Sequence, residues 1–291
     1  MGSKTKIDWC DSTWNPVTGC LHGCEYCYAR KIAERFGGCD KGSTYGMYCQ
    51  ATWRRVNPES SREEAIFEID AKCPPIKLHF DPKTQIMHTP KAPYPWGFSP
   101  TLHREKMNVP QTWKKPRTIF VCSMADLFGA WVPDEWIKEV FDACRKAPQH
   151  RYLFLTKNPT RYDELEDAGL ITPDDHNFWL GSTVTVETRD RLHFCSWMHT
   201  FQSCEPMLAP WPPAGKPNDE SVRNGWLPEW VIFGAETGNR KGKVIPEKAW
   251  VDNAVQMCRN MGAAVFMKES LRQIMGADFV QEFPWEVTEN A

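Results

Sequence analysis

The sequence predicts an α/β fold: a single-domain partial (β/α) barrel of the TIM type, running over residues 1–291 and carrying an irregular insertion. Three observations predict it. Short apolar runs recur along the chain, with amphipathic helical stretches between many of them, which is the rhythm of β/α units around a parallel sheet. A length of 291 residues suits one α/β barrel built around one core. Polar residues, moreover, gather where the apolar runs end, and those points carry the chemistry of such barrels.

Taken in order, the expected strands are Pro16–Gly19, a weaker one at Ser99–Leu102, then Thr118–Cys122, Tyr152–Thr156, Phe178–Val184, Thr200–Cys204, Trp230–Gly234 and Ala263–Lys268. Helices are expected between them. Ala29–Phe36 closes at Gly37-Gly38, and Asp134–Lys146 sets Ile137, Val140, Phe141 and Cys144 along one face. Pro159–Ala168 ends at Gly169, and Pro246–Met261 starts on a proline and ends before Gly262. Residues 38–98 break the rhythm, being rich in Gly, Pro and aromatics with no strong period, and read as an insertion or lid. Residues 209–228 hold five prolines and read as a surface loop.

Composition narrows the function. Hydrophobic residues make up 41% of the chain, enough for a core, and no apolar run approaches the length of a membrane span. The amino terminus shows no secretory signal, so the cytoplasm is the expected compartment. The net charge of -2 offers no general field for a polyanion, which favours a small-molecule substrate over a polynucleotide.

Twelve cysteines in a chain of this kind are not expected to form a disulfide framework, so their spacing decides their meaning. Nine are scattered. Cys20, Cys24 and Cys27 form C-x3-C-x2-C on one loop, a spacing that suits a soft metal. Two readings compete. Structural zinc wants four protein ligands, and here His22 or Cys10 would have to supply the fourth. A [4Fe-4S] cluster accepts three thiolates and leaves one iron open to a substrate or cofactor. Beyond the loop, Ser123, Asp126, Thr156, Lys157, Ser182, Glu205 and Glu236 fall at or just past expected strand ends.

With Tyr26 at the aromatic position, C-x3-C-x-Φ-C resembles the hallmark of the radical S-adenosylmethionine superfamily. The segments Trp14–Cys20, Leu102–Glu105, Trp113–Arg117, Ser123–Phe128, Pro148–His150, Leu155–Lys157, Ser203–Pro206 and Gly234–Gly238 resemble its phage-associated branch. The resemblance spans about residues 7–270 and implies a barrel of that superfamily's kind. It implies that Cys20, Cys24 and Cys27 ligate three irons and that Tyr26 abuts the adenine of S-adenosylmethionine. The superfamily's Gly-Gly-Glu strand is absent in literal form, so Ser123, Lys157 and Ser182, with Asp126, are the candidates to hold the cofactor. By the same resemblance, an external low-potential donor supplies an electron and a 5'-deoxyadenosyl radical attacks a small modified base. The most specific expectation is a lyase that cleaves queuine to 7-aminomethyl-7-deazaguanine. Asp126, Glu205 and Glu236 are the catalytic candidates, since an amino-pyrimidinone edge asks for a carboxylate acceptor. The alternatives are a radical enzyme acting on a base within DNA or RNA, and a zinc-stabilised binding module.

Overall fold

The apolar runs become strands of a curled, seven-stranded parallel sheet in a mixed α/β fold. The structure is a computed structural model that describes residues 5–37, 48–50, 53–61, 64–71, 76–81, 83–88, 92–185, 198–211 and 228–287. In chain order the strands are β1 (Ser12–Trp14), β2 (Val17–Thr18), β3 (Tyr48–Gln50), β4 (Trp53–Arg55), β5 (Phe67–Ile69), β6 (Ile76–Asp81) and β7 (Ile86–His88). They continue with β8 (Thr101–His103), β9 (Thr118–Val121), β10 (Arg151–Thr156), β11 (Phe178–Thr183), β12 (His199–Cys204), β13 (Trp230–Phe233) and β14 (Ala264–Met267). The large sheet runs β1-β9-β10-β11-β12-β13-β14; two smaller sheets run β2-β8-β5-β4 and β3-β6-β7. The main helices are α1 (Tyr28–Phe36), α2 (Asp134–Arg145), α3 (Thr160–Asp167) and α4 (Lys248–Met261), each within two residues of its expected bounds. Among the described residues, no helix is long and apolar enough to cross a membrane.

The chain divides into two compact units, Met1–Ser12 with Arg117–Ile119 and Arg151–Ala291, and Thr13–Pro116 with Phe120–His150. In the first unit, β10 to β14 pair in parallel, with Tyr152 opposite Phe178, Trp179 opposite His199, Phe201 opposite Trp230 and Trp230 opposite Ala264. Strand side chains alternate between faces. On one face Val231, Phe233, Val265 and Met267 pack on Val251, Ala254 and Cys258 of α4. That helix ends as a left-handed cap at Gly262, with φ +74°. On the other face Phe201 meets the rings of Trp9 and Trp230. Gly181 lies beneath the Phe201 ring, which would stand 2.3 Å from any added Cβ.

The second unit corrects two expectations. The segment read as the first barrel strand, Pro16–Gly19, contributes β2, which pairs antiparallel with β8 in the four-stranded sheet. Ser12–Trp14 joins the large sheet instead. Pro16 explains the break, because it has no N–H to continue a ladder and fixes its own φ. The insertion at 38–98 is not irregular throughout: β3 to β7 fall within it. Four of these five strands have three residues each, too few to display a period of two. The loop expected at 209–228 lies, over residues 212–227, outside the described residues.

Glu68 on β5 is the electrostatic hub of this unit. Its carboxylate is buried and accepts from Arg54 Nε at 2.6 Å, Arg104 Nη1 at 2.9 Å and the Trp136 indole N–H at 2.7 Å. Burial alone would raise its pKa, but the Arg104, Arg54 and Trp136 hydrogen bonds outweigh it and hold the group at about 2. Arg104 also clasps Glu139 of α2, so β4, β5, the turn after β8 and α2 meet at one charge network.

Candidate functional site

The three cysteines lie between β2 and α1 in the second unit, on a loop strapped at both ends. Gly19 opens it in the left-handed region, with φ +87°, and an added Cβ would stand 2.3 Å from the Ser99 carbonyl oxygen. Only glycine fits there. The Gly19 N–H donates to Met124 O at 2.9 Å and the Cys20 N–H to Phe98 O at 3.1 Å. At the other end Cys27 caps α1, its sulfur accepting from the Arg30 N–H at 3.4 Å, while the Cys27 N–H donates to Cys24 O at 3.2 Å. The Arg30 guanidinium donates to Cys20 O at 3.2 Å and lies 4.8 Å from the Phe98 ring centroid.

All three thiols are free and half-buried, and Cys20 and Cys27 pack against Ala29, Ala33, Phe98 and Met124. Burial pushes the Cys20 thiol up to about 12, and the charge of Asp126 reinforces the shift. The His22 backbone N–H opposes it, whereas Cys24 and Cys27 act in the same direction as burial. A thiol so placed keeps its proton at neutral pH until a metal displaces it. Among the described residues, no three His, Cys, Asp or Glu side chains are gathered closely enough to grip a single metal ion. A tetrahedral zinc would need its thiolates converging at about 2.3 Å from one centre. A cluster asks each thiolate for a separate iron, and three soft donors on one strapped loop have the right chemistry for it.

A tight turn after β9 faces this loop. Cys122 adopts φ +58°, a left-handed conformation unusual for a residue with a Cβ, and the Ala125 N–H returns to its carbonyl at 2.9 Å. Asn15 Oδ1 braces the turn by accepting from Ser123 Oγ at 3.2 Å and from the Met124 N–H at 3.0 Å. The Tyr28 hydroxyl donates to Ser123 O at 2.8 Å. Asp126 is buried and doubly engaged: Oδ1 accepts from the Phe128 N–H at 3.1 Å, and Oδ2 bonds His22 Nε2 at 2.8 Å. The His22 ring in turn packs edge-on against Trp131, at 4.9 Å between centroids. Cys20, Cys24, Cys27, Tyr26, Ser123 and Asp126 thus belong to one unit, with the Ser123 hydroxyl already paired to Asn15.

Lys157, Ser182, Glu205 and Glu236 belong to the first unit. Lys157 stands half-exposed one residue past β10, and Ser182 is buried within β11 opposite Gln202. Glu236 is held by Arg240 at 2.6 and 2.7 Å, and those hydrogen bonds keep its carboxyl below the usual range against the pull of burial. Glu205 follows β12 and takes Lys268 Nζ on Oε2 at 2.8 Å. Burial pushes Glu205 up, while Lys268 offsets part of the shift. Asp8 adds to it, and the nearby Trp9 N–H favours the charged form. For Lys268, burial works downward, but the Glu205 carboxylate outweighs it and the net shift is upward.

Two residues that build these surroundings escape the sequence reading, and a third, His22, enters it only as a possible fourth zinc ligand, whereas the structure pairs it with Asp126. Lys268 sits one position past β14, so the strand-end rule would have found it had the strand been closed at Met267 rather than Lys268. Asn15 carries no signal, because its partners are more than a hundred residues away.

A family model described as "Protein of unknown function (DUF5131)" matches residues 4–73 and 77–275. No curated protein and no solved structure matches the chain. The match corrects the resemblance read from the cysteine motif: the family found is this one, and no radical S-adenosylmethionine family matches, nor is the identification with a phage-associated branch of that superfamily or its queuine-cleaving member supported. A parallel sheet of seven strands is shared by many families and does not restore it.

Proposed function

We propose that this chain, which belongs to the DUF5131 family, is an enzyme that holds a [4Fe-4S] cluster on Cys20, Cys24 and Cys27 and uses it to cleave S-adenosylmethionine. The observation that carries the proposal is the cysteine loop itself: three free thiols at this spacing on a segment strapped by a required glycine and a helix cap. When bound, such a cluster supplies a low-potential electron to the sulfonium, and the alkyl radical released removes a hydrogen atom from the substrate.

The chain's own residues do the rest. Cys27 stands at the N-terminus of α1, its sulfur accepting from the Arg30 N–H, which fixes where that sulfur lies. Ala29, Ala33, Phe98 and Met124 keep water from one side of Cys20 and Cys27. Asp126 and His22 fix the loop from outside the sulfur set. In this reading the curled sheet is a partial (β/α) barrel. The substrate in this reading is a small modified base, with queuine, cleaved to 7-aminomethyl-7-deazaguanine, as the specific case.

Anaerobic reconstitution with iron and sulfide, followed by dithionite and S-adenosylmethionine, tests the proposal. The expected result is a bound cluster, 5'-deoxyadenosine, and, with queuine present, 7-aminomethyl-7-deazaguanine. Protein that takes up zinc and no iron, or that leaves S-adenosylmethionine intact, overturns it.

A further inference from the structure

Helix α1 turns the usual arrangement of a surface helix inside out. Its inward residues are small: Ala29 and Ala33 are buried against Phe98 and Met124. Its large apolar residues point the other way. Tyr28 is 51% exposed, Ile32 37% and Phe36 51%, half of the six exposed large hydrophobics among the described residues. Spaced by four, they form one row along the helix, about 12 Å from end to end. Single exposed hydrophobics are commonplace, whereas a contiguous row marks a surface that meets a partner.

Charge and position say what that partner is. Lys31 and Arg35, one turn apart, border the row on the side away from the alanines; both are exposed, and among the described residues neither is held in an ion pair. The Arg35 guanidinium lies 5.4 Å from the Phe36 ring centroid, so charge and apolar surface adjoin. Glu34 is the one acid in the helix. An apolar centre with a cationic border fits a partner whose own apolar patch is bordered by carboxylates. A second copy of this chain fits poorly, because a symmetric interface would bring both pairs of cations together. The row also starts beside the cysteines: Tyr28 follows Cys27, and its hydroxyl is tied to Ser123 O at 2.8 Å, which holds the ring in place.

The reaction proposed above takes up one electron for each sulfonium C–S bond it breaks. The sulfur is left as the methionine thioether, and the carrier that brings the electron is oxidised by one electron. Electron transfer falls steeply with distance, so that carrier has to dock close to the cysteine loop. We propose that Tyr28, Ile32 and Phe36, with Lys31 and Arg35, form the docking surface for an acidic one-electron carrier protein. It rests on the function proposed above and places that function's redox partner.

The test is calorimetric titration of the full-length, anaerobically reconstituted protein with a flavodoxin, an acidic flavin-carrying protein, at low and at raised salt. The wild type is expected to bind, more weakly as salt rises. Ile32→Glu is expected to weaken binding by about tenfold or more. Lys31→Glu is expected to weaken it at low salt and to flatten the salt dependence, and serves if Ile32→Glu does not fold. Dithionite, which needs no docking surface, separates the function from the surface. A wild type that leaves S-adenosylmethionine intact with dithionite overturns the function and this surface with it. A wild type that forms 5'-deoxyadenosine with dithionite but does not bind flavodoxin, or variants that bind it as the wild type does, overturns the surface alone. Sedimentation adds one more outcome: a wild-type dimer that Ile32→Glu splits, with flavodoxin binding unchanged, makes the row an interface between copies and overturns the proposal.

Discussion

Around the cysteine loop the charged side chain of Asp126 is matched within its own unit: His22 and the Phe128 N–H use both carboxylate oxygens, and Asn15 takes up Ser123. At the ends of β12 and β14 the charges are matched differently, since burial pushes the Glu205 carboxyl up while Lys268, at 2.8 Å, and the Trp9 N–H pull it back. The contrast separates two tasks. A loop that must hold several sulfurs in fixed places gains from having its supporting groups committed. A buried ion pair between strand ends costs desolvation on both sides and holds only while both partners are present.

Changes that act on one region and spare the other sharpen this contrast. The largest effect is expected from Cys24→Ala, which should abolish cluster uptake, read as iron and sulfide content and visible absorption, while the fold, read by circular dichroism, is kept. A variant that retains a full cluster would break the ligand assignment.

Next comes acid. Burial holds His103 of β8 down to about 4, hydrogen-bonded to Thr18 Oγ1 and Glu105. Its folded pKa lies below the unfolded value near 6.5, so the stability it contributes is full above pH 6.5 and is lost as pH falls through 4, ~3 kcal/mol in all. Because Thr18 directly precedes Gly19, denaturant melts at pH 7 and 4.5 should show the second unit weakening, and His103→Gln should flatten the dependence. Equal slopes for the two proteins would remove His103 from the account.

Asp126→Ala should cost about 10- to 100-fold in cluster affinity, as expected for a group that orients ligands without being one. Metal competition with a chelator measures it, and an unchanged affinity would make the His22 pair ornamental. The smallest effect belongs to Glu236→Gln. Its partner Arg240 is partly exposed, so about 1 kcal/mol or less of stability should be lost in denaturant melts. A loss of several kcal/mol would show that this pair holds the segment after β13 in place.

Much of this was legible in the residues. Strands β9, β10, β11, β13 and β14 contain apolar runs, and helices α2, α3 and α4 follow β9, β10 and β13, so much of their order follows from β/α alternation. The cysteine loop announced itself by spacing alone. Where reading failed, the reasons are local. Ser12-Thr-Trp14 is three residues of mixed polarity, and a proline separates it from the more apolar Val17, so the wrong segment was read as the first barrel strand. Glu205 and Glu236 look alike in sequence. The partner that occupies Glu236 is only four positions on, at helical spacing, whereas Lys268 is 63 residues from Glu205 and becomes its neighbour only once β12, β13 and β14 pair.

The Glu68 hub also sets a limit on how far the chain can be shortened. Arg54 and Glu68 come from within the stretch at 38–98, but Arg104, Trp136 and Glu139 do not. Trimming that stretch to make a minimal protein would strand a buried indole N–H and strip Arg104 of one of its two carboxylates. What reads as a detachable decoration is a keystone, and any shortened version would need a replacement anion at that position before it could fold.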